Sequence, residues 1–242
     1  IFLEGINGQQ LKWNWLEPIL VYLGILFSGL LFSFCSEEIA FLMLAIGMPQ
    51  TEMAFFAVAY VFQFMVTVLL VLFLSVFVNN AGLNDLGLIN TSWSNYWRYG
   101  IMGGILLILL VLLLGLPINY LQPDIQPQVF EEMLRSVQGG SEFIILLVMG
   151  AVLAPVSEEL FYRGMIYPAV RGYLGPLWGA IVAGLIFGLA HWDFWRTIPL
   201  AVGGAVLCYF YEKTGSILVT MLAHGVWNGV MAVIVYFSLI NV

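Results

Sequence analysis

Long apolar stretches, separated by short polar interludes, dominate this chain and restrict it to one kind of fold. A helix needs roughly 20 mostly apolar residues to cross a bilayer's hydrocarbon, and open sheet edges cannot exist there, so such runs read as spanning helices. About seven candidates appear. They run from Pro18 to Cys35, Ala54 to Val78, Tyr99 to Leu116, Phe143 to Val170, Leu177 to His191, Thr197 to Tyr211 and Ser216 to Leu239. The stretch Ile39 to Met48 is too short to cross alone and reads as a re-entrant piece or, merged with a neighbour, as an eighth span. The expected fold is all-α, a polytopic transmembrane helical bundle of about seven to eight spans.

Composition narrows the function. Hydrophobic residues make up 62% of the 242 and charged residues 9%, against about a quarter charged in a soluble domain, which excludes a soluble enzyme. Seven Lys and Arg against fourteen Asp and Glu, net charge −7, offer no basic face to nucleic acid. The lipid bilayer is the expected surrounding, with the cell membrane as the expected location. Cys35 and Cys208 lie in apolar stretches without metal-ligand spacing and read as small buried hydrophobes. The chain opens on Ile1 rather than Met, which points to a start inside a longer or processed polypeptide.

Aromatic residues mark several span ends as interfacial anchors: Trp13 and Trp15 before the first run, Trp93, Tyr96, Trp97 and Tyr99 before the third, Tyr209 and Tyr211 closing the sixth. The polar stretch Asn79 to Asn95 reads as a turn-rich extramembrane loop and a domain boundary. A second loop holds Pro117, Pro123 and Pro127 and leads into a short amphipathic segment. There Val129, Phe130, Met133, Leu134 and Val137 share one helical face, with Glu131, Glu132 and Arg135 elsewhere, so the segment is expected in the membrane interface. Three regions result: 1–95 with N-terminal spans and polar loop, 96–140 with one span and the interfacial segment, and 141–242 as the helical core that carries the chemistry. Lys12, Arg98, Arg171 and Lys213 fall on one side of a seven-span bundle, Arg135 and Arg196 on the other, which sets the N-terminus inside.

Ionisable side chains within spans are expensive unless paired or wet, so they mark functional candidates. Glu158, Glu159 and Arg163 lie in the fourth run, His191 ends the fifth, and His224 and Asn228 lie in the seventh. At about 100° per residue, Glu159 and Arg163 share a face and can neutralise one another. Glu158 is rotated away from both and must find water, a proton or a neighbouring helix. Pro155 removes a backbone hydrogen bond to Ala151, and Ala151 and Ala154 leave room beside it. His224 and Asn228 share a face flanked by Gly225 and Gly229, where another backbone can come close. His191 shares its face with Phe187 but falls deeper along its run than Glu158 or His224. Either the fifth helix starts outside the hydrocarbon or the adjoining Trp192 and Trp195 line a cavity. Ser36, Glu37 and Glu38 repeat the Ser157-Glu158-Glu159 triplet without a basic partner four residues on, so these acids are expected to be solvated at a loop or helix end.

A glutamate and an imidazole away from bulk water can share the proton of an attacking water, and an amide with an imidazole can donate to an oxyanion, so hydrolysis is the natural chemistry. No Ser-His-Asp logic surrounds Ser157 or Ser216, and no His-Glu-x-x-His helix is present. No metal and no cofactor are expected, although two His and a Glu leave an ion geometrically open.

The segments Glu158-Glu159-Leu160-Phe161-Tyr162-Arg163, Phe187-Gly188-Leu189-Ala190-His191 and His224-Gly225-Val226-Trp227-Asn228 resemble the EExxxR, FxxxH and HxxxN motifs of the CAAX protease and bacteriocin-processing family, also called CPBP or Abi. The resemblance implies a glutamate-dependent intramembrane endopeptidase like the type II CAAX prenyl endopeptidases, acting on a membrane-associated protein, prenylated CAAX proteins among them, or a hydrophobic peptide. By motif position, Glu158 and His191 would activate water, and His224 and Asn228 would stabilise the oxyanion. Glu159 and Arg163 would hold the site together, with Phe187 as packing support. The N-terminal half contributes no motif residue. Two other classes compete: a non-catalytic membrane subunit that binds a peptide or partner in the same pocket, and a proton-coupled transporter, which lacks paired broken helices or an inverted repeat.

Overall fold

The structure, a computed structural model, describes residues 11–122 and 124–240. The first ten residues of the N-terminal region, Pro123 of the second loop and the last two residues lie outside the described residues. Among the described residues every regular element is helical: α1 (Leu16–Phe34), α2 (Ser36–Ala45), α3 (Glu52–Val78), α4 (93–121), α5 (Val129–Ser136), α6 (140–174), α7 (176–189), α8 (Phe194–Thr214) and α9 (Ile217–Ile240).

Among the described residues, five helical stretches are long and apolar enough to cross a membrane: Leu16–Phe34, Glu52–Val78, Trp93–Ile118, Gly140–Leu189 and Ile217–Ser238. The fourth has 50 residues, about 75 Å if straight, more than twice the hydrocarbon thickness. It is not straight. Gly175 takes φ 75°, a left-handed conformation that glycine adopts freely, and Pro176 follows. The chain doubles back there, so that a Cβ on Gly179 would lie 2.8 Å from the Arg171 Cα. This stretch therefore holds two of the expected spans, with the break after Leu174. α8 is 21 residues long and carries Arg196, Glu212 and Lys213 near its ends, leaving its apolar middle as the expected sixth span. The polytopic all-α class stands.

Several local expectations change. Ile39 to Met48 contributes to α2, ten residues and about 15 Å, too short to span. Glu37 and Glu38 lie exposed in its first turn, at a helix end as expected. Both cysteines are free; Cys208 is buried, whereas Cys35 is half-buried at the break between α1 and α2. Trp13 is not an interfacial anchor: it is buried, and its indole N–H donates to the Met165 carbonyl at 3.1 Å. Tyr211 likewise sits in the core, its ring occupying the space that a side chain on Gly87 would need. Trp93 and Trp97 are exposed, as a belt requires. The polar loop ends at Ser92, because Trp93–Asn95 is already helical. Its Leu86 is fully buried, and its Gly87 carbonyl accepts from the Ile217 N–H at 2.9 Å, so it is tucked against the turn before α9.

The amphipathic segment forms α5, but its apolar face meets protein. Leu134 is buried with Leu146, Met149 and Ala232, and Phe130, Met133 and Val137 pack against that cluster, while Val129 is exposed. Thus α5 roofs α3, α6 and α9. Arg196, at the start of α8, ties it down by donating to the Gln126 carbonyl at 3.1 Å and pairing with Glu131 at 3.3 Å.

Candidate active site

The candidate residues of the fourth run lie where α6 departs from regular α geometry. Its residues Met149–Leu153 and Tyr162–Ile166 are wound in the wider π register, bracketing the regular turns Ala154–Phe161 that carry Glu158 and Glu159. Such bulges are frequent at functional sites, and two more, Phe73–Val78 and Tyr96–Ile101, lie in α3 and α4. Pro155 explains the first one: in a π register the Gly150 carbonyl looks five residues ahead for its donor, and proline has no N–H to give. Asn228 of α9 supplies it, donating from Nδ2 to the Gly150 oxygen at 3.0 Å. The carbonyl served lies one residue earlier than an α register predicts. Close approach of α9 depends on Gly225, where a Cβ would stand 2.5 Å from the Ala151 oxygen.

Glu159 is wholly buried and its Oε1 accepts twice, from Arg163 Nη1 at 2.8 Å and from His224 Nδ1 at 2.8 Å. The Glu159 and Arg163 pairing expected from their spacing is thus present. Arg163 also donates from Nη2 to the Gly204 carbonyl at 3.0 Å, and its guanidinium stands over the Phe187 ring at 4.7 Å. Phe187 is the hub of the site: its ring meets His191 at 4.8 Å, His224 at 5.8 Å and Tyr162 at 5.1 Å between centroids.

Glu158 takes no part in the Arg163 pair. Its side chain retains 31% exposure, opening on a chamber of about 270 Å³, while its buried Oε2 has no hydrogen-bond partner among the described residues. That oxygen lies 3.8 Å from His224 Nε2, too far for a direct hydrogen bond. Because Nδ1 of His224 faces a carboxylate, that nitrogen carries the proton, and Nε2 is the atom presented to Glu158. The lone acid of the sequence reading therefore finds its neighbour on another helix.

His191 stands apart. It lies in the turn after α7, half-buried, with Nδ1 2.9 Å from the Phe187 carbonyl oxygen, which leaves Nε2 as its free acceptor. Among the described residues, neither of its ring nitrogens comes within 4.0 Å of a carboxylate oxygen. It lines a separate groove of about 710 Å³ between α5 with its preceding loop and the turn 191–195. Trp192 borders both this groove and the Glu158 chamber, and Trp195 borders the groove, so these tryptophans line cavities rather than forming only a belt. Trp192 has φ 53°, an uncommon left-handed conformation for a bulky residue. A third, apolar groove of about 630 Å³ runs between α1 and α7 and shares Tyr22, Phe161, Tyr162, Ala190 and Trp192 with the Glu158 chamber.

The opposite wall of the chamber was not anticipated: Tyr22 of α1 and Tyr60, Gln63 and Thr67 of α3 face Glu158 across it. A signal was present, since Tyr60, Gln63 and Thr67 make a polar stripe at helical spacing within an apolar run. Among the described residues no group of three or more His, Cys, Asp or Glu is placed to hold a metal ion.

Comparison with known proteins bears on the same region. Residues 140–230 match the family described as "Type II CAAX prenyl endopeptidase Rce1-like". Two proteins of Bacillus subtilis (strain 168) are similar over part of their length. One, "Uncharacterized protein YyaK", is 34% identical over 100 residues, covering 36% of this chain and 33% of the relative. The other, "Putative membrane peptidase YdiL", is 23% identical over 84 residues, covering 35% and 34%. The matches thus span about a third of each relative. No solved structure gives a significant match. The resemblance carried by the three motifs is met by this match: residues 140–230, which contain all three, are similar to the Rce1-like family.

Proposed function

We propose that this integral membrane protein is an intramembrane endopeptidase that hydrolyses a peptide bond in a membrane-associated protein or hydrophobic peptide, prenylated CAAX-type proteins included. The observation that carries this reading is the Glu158 carboxylate, unpaired at Oε2 and open to a chamber, 3.8 Å from an imidazole whose orientation Glu159 locks. The apolar groove that meets this chamber suits a substrate anchored in lipid.

In the proposed reaction Glu158 takes a proton from water as the water oxygen attacks the scissile carbonyl carbon. His191 accepts a hydrogen bond from the same water through Nε2, reaching it from the adjoining groove. The oxyanion is received by His224, which donates from Nε2–H when both its ring nitrogens carry protons, and by the N–H of Asn228 not committed to Gly150. Collapse breaks the C–N bond, and the proton on Glu158 passes to the leaving amine, restoring the carboxylate. No step calls for a cofactor.

Mass spectrometry of a hydrophobic peptide library incubated with the purified protein tests this. Cleavage by wild type is expected, with about a 10²- to 10⁴-fold loss in Glu158→Gln and in His191→Ala while both remain folded. Undiminished turnover in both variants overturns the mechanism. The separation of His191 from Glu158 favours one second reading, a non-catalytic chamber that holds a peptide or partner; binding without any cutting over long incubation is its signature.

A further inference from the structure

A peptide drawn into a chamber inside the membrane brings backbone N–H and C=O groups that have lost their water, and each is costly unless the walls supply a partner. The chamber can therefore be searched for polar groups not already spoken for. Thr67 is committed, donating to the Gln63 carbonyl at 2.9 Å. Gln63 is committed to α1 as well: its amide nitrogen lies 3.3 Å from the Ser28 hydroxyl oxygen and 3.5 Å from the Ile25 carbonyl oxygen. Ser157 donates back to its own helix, to the Leu153 carbonyl at 3.0 Å. What remains beside Glu158 is the Trp192 indole, on the exposed turn after α7, and three phenols. Tyr22, Tyr60 and Tyr162 all line the chamber, and among the described residues none of their hydroxyls has a hydrogen-bond partner. Among the described residues the buried atoms without a partner are Glu158 Oε2, Glu159 Oε2 and Arg163 Nε, so the three hydroxyls keep contact with open space, where the polar groups of a bound peptide can meet them.

Their mounting is rigid. Tyr162 is buried, its ring edge-on to Phe187 at 5.1 Å. Tyr60 packs on Phe56 at 5.9 Å and on Phe130 of the roof helix at 6.3 Å. Tyr22 packs against the main core and sits at the junction of the chamber with the apolar groove. A phenol can both donate and accept, so it suits either polar group of a peptide unit. Tyr22 and Tyr60 also belong to helices outside residues 140–230, so this wall lies apart from the Rce1-like match.

We propose that the hydroxyls of Tyr22 and Tyr60 form a subsite that hydrogen-bonds the backbone of the peptide presented to Glu158, fixing its register along the chamber. The assignment rests on the endopeptidase reading for the position of the scissile bond, but its binding component can be measured without cleavage. These are positioning residues: a hydrogen bond made to substrate and transition state alike changes KM and leaves kcat nearly untouched.

The test uses Tyr22→Phe, Tyr60→Phe and the double variant of the full chain in detergent, which keep the rings and remove only the hydroxyls. In one arm, peptides of a hydrophobic library retained by the Glu158→Gln protein are counted by mass spectrometry with and without the added Phe substitutions. In the other, KM and kcat of wild type and variants are compared on whichever library peptide is cut. The expected result is an affinity loss, and a rise in KM, of about three- to tenfold per hydroxyl, with kcat within about twofold and an unchanged melting temperature. Wild type that retains but never cuts, with retention lost in the Phe variants, leaves the subsite standing and removes the peptidase reading. Cleavage by wild type with retention and KM unaffected by either substitution overturns the subsite alone. Failure to retain any peptide overturns the subsite too.

Discussion

At Glu159 and Arg163 the membrane interior holds a full ion pair with both side chains buried, which succeeds only because each charge has further neighbours. Glu159 adds His224, and Arg163 adds the Gly204 carbonyl and the Phe187 face. Removing one partner leaves the other charged and dry, so Arg163→Ala is expected to destabilise the protein by about 3–5 kcal/mol, read as a fall in denaturation midpoint in detergent. Arg163→Lys recovers only part of this, because a point charge cannot serve Glu159, Gly204 and an aromatic face together. Glu159→Gln is expected to act differently. It weakens the acceptor that orients the His224 ring, so activity falls by more than the lost stability explains, with peptide retention by the folded fraction preserved. This pairing was legible from spacing alone, since residues four apart on a helix meet whatever surrounds them. The neighbour of Glu158 was not, because a contact between α6 and α9 depends on packing that no local pattern encodes.

Between helices, the bulge at Met149–Leu153 and the proline after it form one device with Asn228. If Asn228 serves a carbonyl orphaned by Pro155, the two positions must be coupled. A double-mutant cycle checks this: Asn228→Ala should cost about 1–3 kcal/mol in the native background and clearly less beside Pro155→Ala, where the new N–H can reach the carbonyl itself. Equal costs in both backgrounds would refute the coupling. A second device is the clasp of α5. Asp193 caps α8, its Oδ1 accepting from the Arg196 N–H at 3.0 Å, and holds the Arg196 side chain that reaches Gln126 and Glu131. Partial burial pushes the Asp193 carboxyl up, but the backbone N–H and guanidinium of Arg196 outweigh it and hold the group below its ordinary value. A lowered carboxyl contributes stability above its unfolded value of about 3.9 and loses it only as pH falls through the lower folded one. The clasp therefore persists at neutral pH and weakens only in acid below about pH 4. Arg196→Ala should open it at any pH, seen as faster hydrogen exchange across 126–136 with the α9 amides unchanged.

Across the whole molecule, the apolar runs announced the class of fold because a bilayer leaves so few alternatives, and the three motifs stood out because polar residues within such runs are rare. What could not be read was which side of each helix meets protein. In lipid both faces of a span are apolar, so hydrophobic periodicity no longer separates inside from outside, and the wall across from Glu158 left only the polar stripe of Tyr60, Gln63 and Thr67 as its trace. Aromatics at span ends pose the same ambiguity: Trp13 and Trp93 look alike in sequence, yet one is 3% and the other 88% exposed. Trp13 joins the N-terminal helices to α6, its indole N–H bonded to the Met165 carbonyl and its ring packed in the main core. Through that core α1 is held against the segment bearing Glu158, so the N-terminal half belongs to the site's architecture although it carries none of the motifs. Trp13→Ala should therefore cost about 3–5 kcal/mol and reduce peptide retention, whereas Trp93→Ala, facing outward, should change stability by less than about 0.5 kcal/mol. Thermal denaturation of the two variants in the same detergent checks the contrast, and equal midpoints would mean that α1 does not anchor the helix that bears Glu158.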